Sequence, residues 1–400
     1  MHIERLQNNK HKTNEILIAL TVKLEKETVT KSAILPQVLR RGNKKYINQL
    51  EMNKKLEEMY GANLTQVSTK NADYITIKFY LLSLANKYVP SKENIAQSSM
   101  NLLFNTVFNP LVENGGFKKE YVKQEKENLR KIIMSRKDDK QSYAYERCIE
   151  EMFKNKPFGI DANGLLEKLD EINEKNLYEY YLNVLKNARI DIYINGEDAN
   201  EIVVPEIDFE NNEIDVEEKF DTFENNEPNV VKESGNVTQG KLNIGLEIES
   251  KNKFANLLYS TVLGGGANSK LFQNVREKAS LAYYASARYL RRKNVIIIVT
   301  GIELENYDKA LKIIKEQIEE TKKGNITDEE FESAKTLIIS SLKTLKESQT
   351  NETAFIFDQK LFNDNLTIDE CEKQLEKVTK QDVIEASRGV KINTIYFLEK

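Results

Sequence analysis

The chain has 400 residues, of which 40% are apolar and 30% charged, and its formal net charge is −4 at pH 7. That length calls for two or more domains, and that balance suits a soluble globular protein with no global preference for nucleic acid. It contains only two histidines, His2 and His11, and two cysteines, Cys148 and Cys371, which closes zinc, Ser-His and Cys-His hydrolysis to the polypeptide acting alone and excludes a disulfide scaffold.

No apolar run is long enough to span a bilayer, and the stretch MHIERLQNNKHKTNE has no apolar core resembling a signal peptide. A reducing cytoplasm is the simplest setting for so few cysteines. The 18 tyrosines and 16 phenylalanines leave ample aromatic surface, read first as core packing.

In chain order, residues 14–30 read as a strand with an alternating end. Ile47, Leu50, Leu56 and Met59 recur at helical spacing until Tyr60–Gly61 stops the run. Residues 64–81 read as two extended segments turning near Asn71, and 92–108 as a helix ended by Pro110 and Gly115–Gly116. A long charged helix is expected from about Phe117 to Arg136, with shorter helices around 142–155, 163–170 and 174–186 before a strand at 188–196. Residues 204–228 are strongly acidic, contain Pro205 and Pro228, and show no sustained period. They read as a solvated connection between halves, with a ligand-binding acidic arm as the alternative.

The order of elements then repeats. A strand at 240–249 precedes an apolar helix at 254–263, glycines 264–266, a helix around Ser269–Lys278, and extended segments LAYYASARYL and NVIIIVTGIE. Helices follow at 305–322 and 328–346, the second opening on a capping box, Thr327 with Glu330. The last strand is expected at 391–399. The pattern therefore predicts an α+β protein of two similar halves, divided as 1–202, an acidic linker at 203–235, and 236–400.

The most specific local string is LGGGANSKLFQNVREKASLAYYASA at 263–287. Its glycines lack the lysine–serine/threonine ending and the strand–loop–helix setting of a phosphate loop, so they read as a chain reversal. Arg276 supplies a rigid fork for a carbonyl or carboxylate, and Tyr283 a hydroxyl on an aromatic face. A turn between them could direct both toward one cleft.

Leu271, Phe272, Arg276, Glu277, Lys278, Leu281, Ala282 and Tyr283 follow in order the C-terminal-domain pattern of the pitrilysin/insulinase-like (M16) metallopeptidases. The chain resembles the short, two-domain form of that family over most of its length. The resemblance implies two α/β-sandwich halves of the insulinase-like (LuxS/MPP-like metallohydrolase) type. It also implies a role for Arg276 and Tyr283 in binding substrate backbone.

Active members carry His-x-x-Glu-His shortly before a glycine and a KKY-like turn. Here the matching string is AILPQVLRRGNKKY. Aligned on Gly42, it puts Ala33 and Gln37 at the histidine positions and Pro36 at the catalytic glutamate. The third ligand position falls near Ile132. None of these can do the chemistry, and Glu51, Glu57, Glu58 and Glu125 do not restore it. His2 and His11 lack a third ligand and read as incidental. Degenerate zinc-site positions in one half and a candidate clamp in the other resemble the non-catalytic partners of heterodimeric family members. The implied function is a non-catalytic subunit that binds an extended peptide in a chamber shared with a zinc-binding insulinase-like paralogue, with zinc held by that partner. The alternative is a peptide-binding or scaffold protein in a non-proteolytic complex, linked through named relatives to modification of a translation elongation factor. No nucleic acid and no membrane partner is implied.

Overall fold

A computed structural model describes residues 1–224 and 227–400; Asn225 and Asn226, within the acidic segment, lie outside the described residues. The chain divides into two compact units that interleave in sequence. Unit 1 comprises Met1–Ser135, Ile160–Glu217 and Ser348–Asn363, and unit 2 comprises Arg136–Gly159, Glu218–Glu347 and Asp364–Lys400.

Unit 1 is built on a five-stranded sheet in the order β1-β7-β2-β4-β3. The strands are β1 (His2–Gln7), β2 (Thr13–Lys23), β3 (Asn63–Asn71), β4 (Tyr74–Leu84) and β7 (Arg189–Gly196), with a small separate hairpin of β5 (Val112–Glu113) and β6 (Gly116–Phe117). Its helices are α1 (Val29–Leu39), α2 (Gln49–Glu58), α3 (Ile95–Phe108), α4 (Lys119–Ser135), α6 (Leu166–Glu171), α7 (Glu174–Asn187) and α11 (Gln349–Leu361). Unit 2 repeats the sheet as β8-β12-β9-β11-β10, formed by β8 (Asn229–Ser234), β9 (Gly240–Ile248), β10 (Ala282–Leu290), β11 (Val295–Ile302) and β12 (Val390–Glu399). Its helices are α5 (Lys140–Met152), α8 (Lys253–Gly264), α9 (Tyr307–Lys322), α10 (Asp328–Leu345), α12 (Ile368–Lys377) and α13 (Lys380–Arg388). In both sheets the first strand pairs in parallel with the last, β1 with β7 and β8 with β12. The expected α+β duplication is thus present in the topology.

The continuous apolar runs in the strands follow from burial on both faces. On β2, Ile16, Ile18 and Leu20 enter the core under the helices, together with Phe79 of β4 and Ile192 of β7. The intervening Leu17 and Ala19 face the other way, against Phe357 and Leu361 of α11. In unit 2, Leu242, Ile244 and Ile298 face the main helical layer. Ile297, Val299 and Tyr396 face Cys148, Ile149 and Met152 of α5. A Cβ on Gly245 of β9 would stand 2.6 Å from Met152 Sδ, so glycine lets α5 seat there.

Several local signals act as expected. Thr327 and Glu330 cap α10 reciprocally, and the same box recurs at Thr367 with Glu370 and Thr379 with Asp382. The N-terminal residues form a strand that the sequence pattern did not mark: His2–Gln7 pairs along β7, and His2 Nε2 lies 2.9 Å from Glu213 Oε1. That strand is short and polar, and its partner is distant in sequence. The acidic segment is also less solvated than its composition suggests. Val216 is buried beside Leu17 in unit 1, and Asp221 pairs at 2.5 Å with the buried Lys293 in unit 2.

The cover that α11 places on unit 1 is partly polar. Thr350 donates to Glu15, Gln349 Nε2 donates to the carbonyls of Thr13 and Asn195, and Arg189 donates to the carbonyls of Lys360 and Leu361. Burial raises the Glu15 pKa above its ordinary 4.5, opposed by hydrogen bonds from Thr350 and Thr353 and by nearby His11. A carboxyl with a raised folded-state pKa holds its proton better folded than unfolded. Its contribution is therefore most favourable below pH 4.5 and is lost as pH rises through the folded value. Glu15→Gln is expected to abolish that decline, so the variant gains stability relative to wild type from acid to neutral pH. Urea unfolding across that range measures it.

Candidate functional site

Helix α1 carries three of the sequence-predicted positions. Ala33 is partly buried against the unit 1 core, Pro36 is buried, and Gln37 accepts a hydrogen bond from Gln66 Nε2 of β3 at 2.7 Å. Proline inside a helix removes the N–H that would reach back four residues, here to the Ser32 carbonyl. Ser68 of β3 supplies the missing donor: its hydroxyl lies 2.6 Å from Ser32 O. The Ser32 hydroxyl is itself 2.5 Å from the Tyr180 hydroxyl of α7. The helix is therefore complete around Pro36.

Ile132, on α4, is 52% exposed. Glu125, seven positions earlier on that helix, is buried and bound by two guanidinium nitrogens of Arg41. Glu51 is used at the start of α2, accepting from the Ile47 amide and the Asn48 side chain, and Glu58 pairs with Lys55 on the same helix. Among the described residues, no group of three or more His, Cys, Asp or Glu side chains is arranged to hold a metal. Alanine, proline, glutamine and isoleucine do not make a zinc donor set.

Arg276 and Tyr283 both belong to unit 2. Arg276 lies in a π-helix, Phe272–Lys278, a wide turn type that recurs at functional sites. Its guanidinium sits 4.5 Å from the Phe272 ring centroid and 3.7 Å from Glu277, with the side chain 43% exposed. The chain then turns through Ser280, whose φ of 51° is uncommon outside glycine, and the Leu281 amide donates back to Val275 O at 3.0 Å. Tyr283 follows at an irregularity of the β10–β11 ladder, where Ala282 pairs with Ile302 but Tyr284 pairs with Gly301. A bulge re-aims the extra side chain, and Tyr283 is 55% exposed. Its hydroxyl donates to Glu303, which raises the phenol pKa above its ordinary 10.0. The two residues thus lie on consecutive, exposed elements, each engaged by its own neighbour.

The glycines beside this site serve a different purpose from the one expected. None of Gly264, Gly265 and Gly266 is among the positive-φ glycines. A Cβ on Gly264 would stand 2.4 Å from Ala287 N, so glycine is needed there for the close passage of α8 over β10. Glu303, Gln66 and Ser68 escaped the sequence reading because each acts on a different element, Glu303 on the neighbouring strand and Gln66 and Ser68 on α1, and no local spacing marks such pairs.

The family profile described as "Peptidase M16 inactive domain" matches residues 171–338. The "Probable inactive metalloprotease YmfF" of Bacillus subtilis (strain 168) is 32% identical over 402 residues, covering 98% of this chain and 94% of that protein. The chain belongs to the M16 peptidase family. The crystal structure of a conserved protein from Enterococcus faecalis V583 aligns with a TM-score of 0.91 at 24% identity, over 99% of this chain and 96% of that one. The structure of a "peptidase M16 inactive domain" from Pseudomonas fluorescens aligns at 0.76 and 15% identity, over 99% and 96%. Both likenesses concern the M16 fold. No described helix is long and apolar enough to cross a membrane.

The repair of α1 generates a direct test. Ser68→Ala leaves the Ser32 carbonyl without its donor and is expected to destabilise unit 1 by about 1–3 kcal/mol. Pro36→Ala restores a backbone N–H, so Ser68→Ala is expected to cost clearly less in that background. A double-mutant cycle by urea unfolding measures the coupling.

Proposed function

We propose that this chain is the non-catalytic subunit of a heterodimeric zinc metallopeptidase, contributing peptide binding to a chamber shared with a zinc-binding insulinase-like paralogue. One contrast carries the reading. The α1 positions of the metal motif are absorbed into packing, with Ser68 completing the helix around Pro36, whereas Arg276 and Tyr283 remain exposed on a π-helix and a strand irregularity. Zinc, its bound water and the general base come from the partner. This chain's contribution is to hold an extended backbone in register, which supports catalysis through positioning.

Two edge strands suit that task. β3 ends the unit 1 sheet and β10 ends the unit 2 sheet, and an edge strand offers unpaired N–H and C=O groups to an added strand. Arg276 adds a donor-only fork and Tyr283 a phenolic oxygen next to the β10 edge. The same proposal places the complex in the cytoplasm, where the thiols of Cys148 and Cys371, both buried and unpaired, are kept reduced.

Mixing the chain with a paralogue bearing an intact His-x-x-Glu-His motif is expected to yield peptide cleavage that chelation abolishes and that neither subunit gives alone. Arg276→Ala and Tyr283→Phe in this subunit are each expected to lower kcat/KM by about tenfold, the scale of one lost transition-state or substrate hydrogen bond. Unchanged kcat/KM in both variants removes the two site assignments. Peptide binding without turnover in the zinc-loaded complex points instead to the non-proteolytic scaffold.

A further inference from the structure

Three strands bring side chains to one end of the unit 2 sheet. β10 carries Tyr283, Glu303 immediately follows β11, and Gln239 immediately precedes β9. The strands are neighbours in the order β10-β11-β9, and Ile302 pairs with both Ala282 and Gly240. The Tyr283 hydroxyl donates to a carboxylate oxygen of the partly buried Glu303. A phenol has one proton, so once that proton is committed its oxygen presents only lone pairs. The side-chain amide of Gln239 acts on the same phenol as a donor, in the direction that lowers its pKa.

Resting on the reading of Arg276 and Tyr283 as a peptide clamp, we propose that Glu303 is a positioning residue that fixes Tyr283 as a hydrogen-bond acceptor for a backbone N–H of the bound peptide. Arg276 has donors only and takes a backbone carbonyl. An extended peptide offers both groups along its edge. A donor-only and an acceptor-only side chain therefore read its direction and register, which two ambivalent groups would not. The hydrogen bond to Glu303 and that residue's charge both raise the phenol pKa, while Gln239 lowers it, so Tyr283 keeps the proton that it donates.

The test uses the full chain and a fluorescein-labelled pool of randomised ten-residue peptides, with binding read by anisotropy. The variants are Arg276→Ala, Tyr283→Phe, Glu303→Ala, Glu303→Gln and the double variant Tyr283→Phe/Glu303→Ala. Glu303→Ala is expected to weaken binding about as much as Tyr283→Phe, roughly fivefold to tenfold. Glu303→Gln keeps an acceptor oxygen and falls between wild type and Glu303→Ala. The double variant binds no more weakly than Tyr283→Phe, because Glu303 acts through the phenol. In ring-13C-labelled protein, Tyr283 is expected to titrate at lower pH in Glu303→Gln than in wild type. If Arg276→Ala and Tyr283→Phe weaken binding while Glu303→Ala binds like wild type, the role of Glu303 is overturned and the clamp stands. Additive losses in the double variant, or an unchanged Tyr283 titration, overturn it equally. If wild type binds no peptide, or no variant changes binding, the clamp reading falls and this inference with it.

Discussion

Each five-stranded sheet in this chain must be covered on both faces, and the rest of the architecture answers to that requirement. Along β2, the side chains from Ile16 to Leu20 are fully buried whichever way they point. A sheet with helices on one face only would leave Leu17, Ala19 and Tyr193 in water. Each fully buried apolar side chain is worth roughly 1.5–3 kcal/mol relative to exposure, so an uncovered face would be a large deficit. The covers are α11 for unit 1 and α5 for unit 2, and in sequence each lies far from most of the strands it protects. The covering layer of unit 1 is not purely apolar. Arg189 meets the carbonyls at the end of α11, where a cation suits the helix dipole, and Glu15 accepts burial in return for hydroxyl donors near the helix start.

The same demand governs α1. α1 packs its buried residues, among them Ile34, Leu35 and Val38, into the inner core of unit 1. It therefore has to remain a helix whatever occupies positions 33, 36 and 37. Proline at 36 threatens that helix by removing one backbone donor, and a buried carbonyl left unpaired is costly. Ser68 on the adjacent strand meets the demand from outside the helix, and Gln66 engages Gln37 one turn beyond the Ser32 level.

Much of the fold was legible because its signals are local. The turn near Asn71, the Thr327–Glu330 box and the apolar strands are written in neighbouring residues, and the structure places β3, β4, α10, β9 and β11 where those signals put them. What resisted reading depends on contacts between distant segments. β1 is a polar strand that exists because β7 pairs with it. α11 has a weak amphipathic pattern because one side carries Phe357 and Leu361 while its first two turns carry Gln349 and Thr353, also buried. The site divides the same way. Arg276 and Tyr283 stood out by their motif, whereas Glu303 is tied to Tyr283 only through strand register. Ala33, Pro36 and Gln37 could be read as a loss, but not as a repaired helix, because the repair comes from β3.

Packing explains the α1 positions more fully than it explains Arg276 and Tyr283. Every sequence-predicted position on α1 either contacts the core, completes the helix or pairs with a neighbouring strand. Arg276 and Tyr283 have no comparable reason to be what they are. An exposed aromatic ring on a strand irregularity gains little from burial, and a half-exposed arginine set against the Phe272 ring and a 3.7 Å contact to its neighbour's carboxylate gains little from pairing. Irregular backbone that presents exposed side chains is a cost to folding unless those side chains serve something outside the fold. In unit 2 that backbone comprises a π-helix, a positive-φ serine and a bulge within a dozen residues of chain. The strain and exposure collect around the two residues that packing does not require, which is the ground on which the proposed peptide clamp rests.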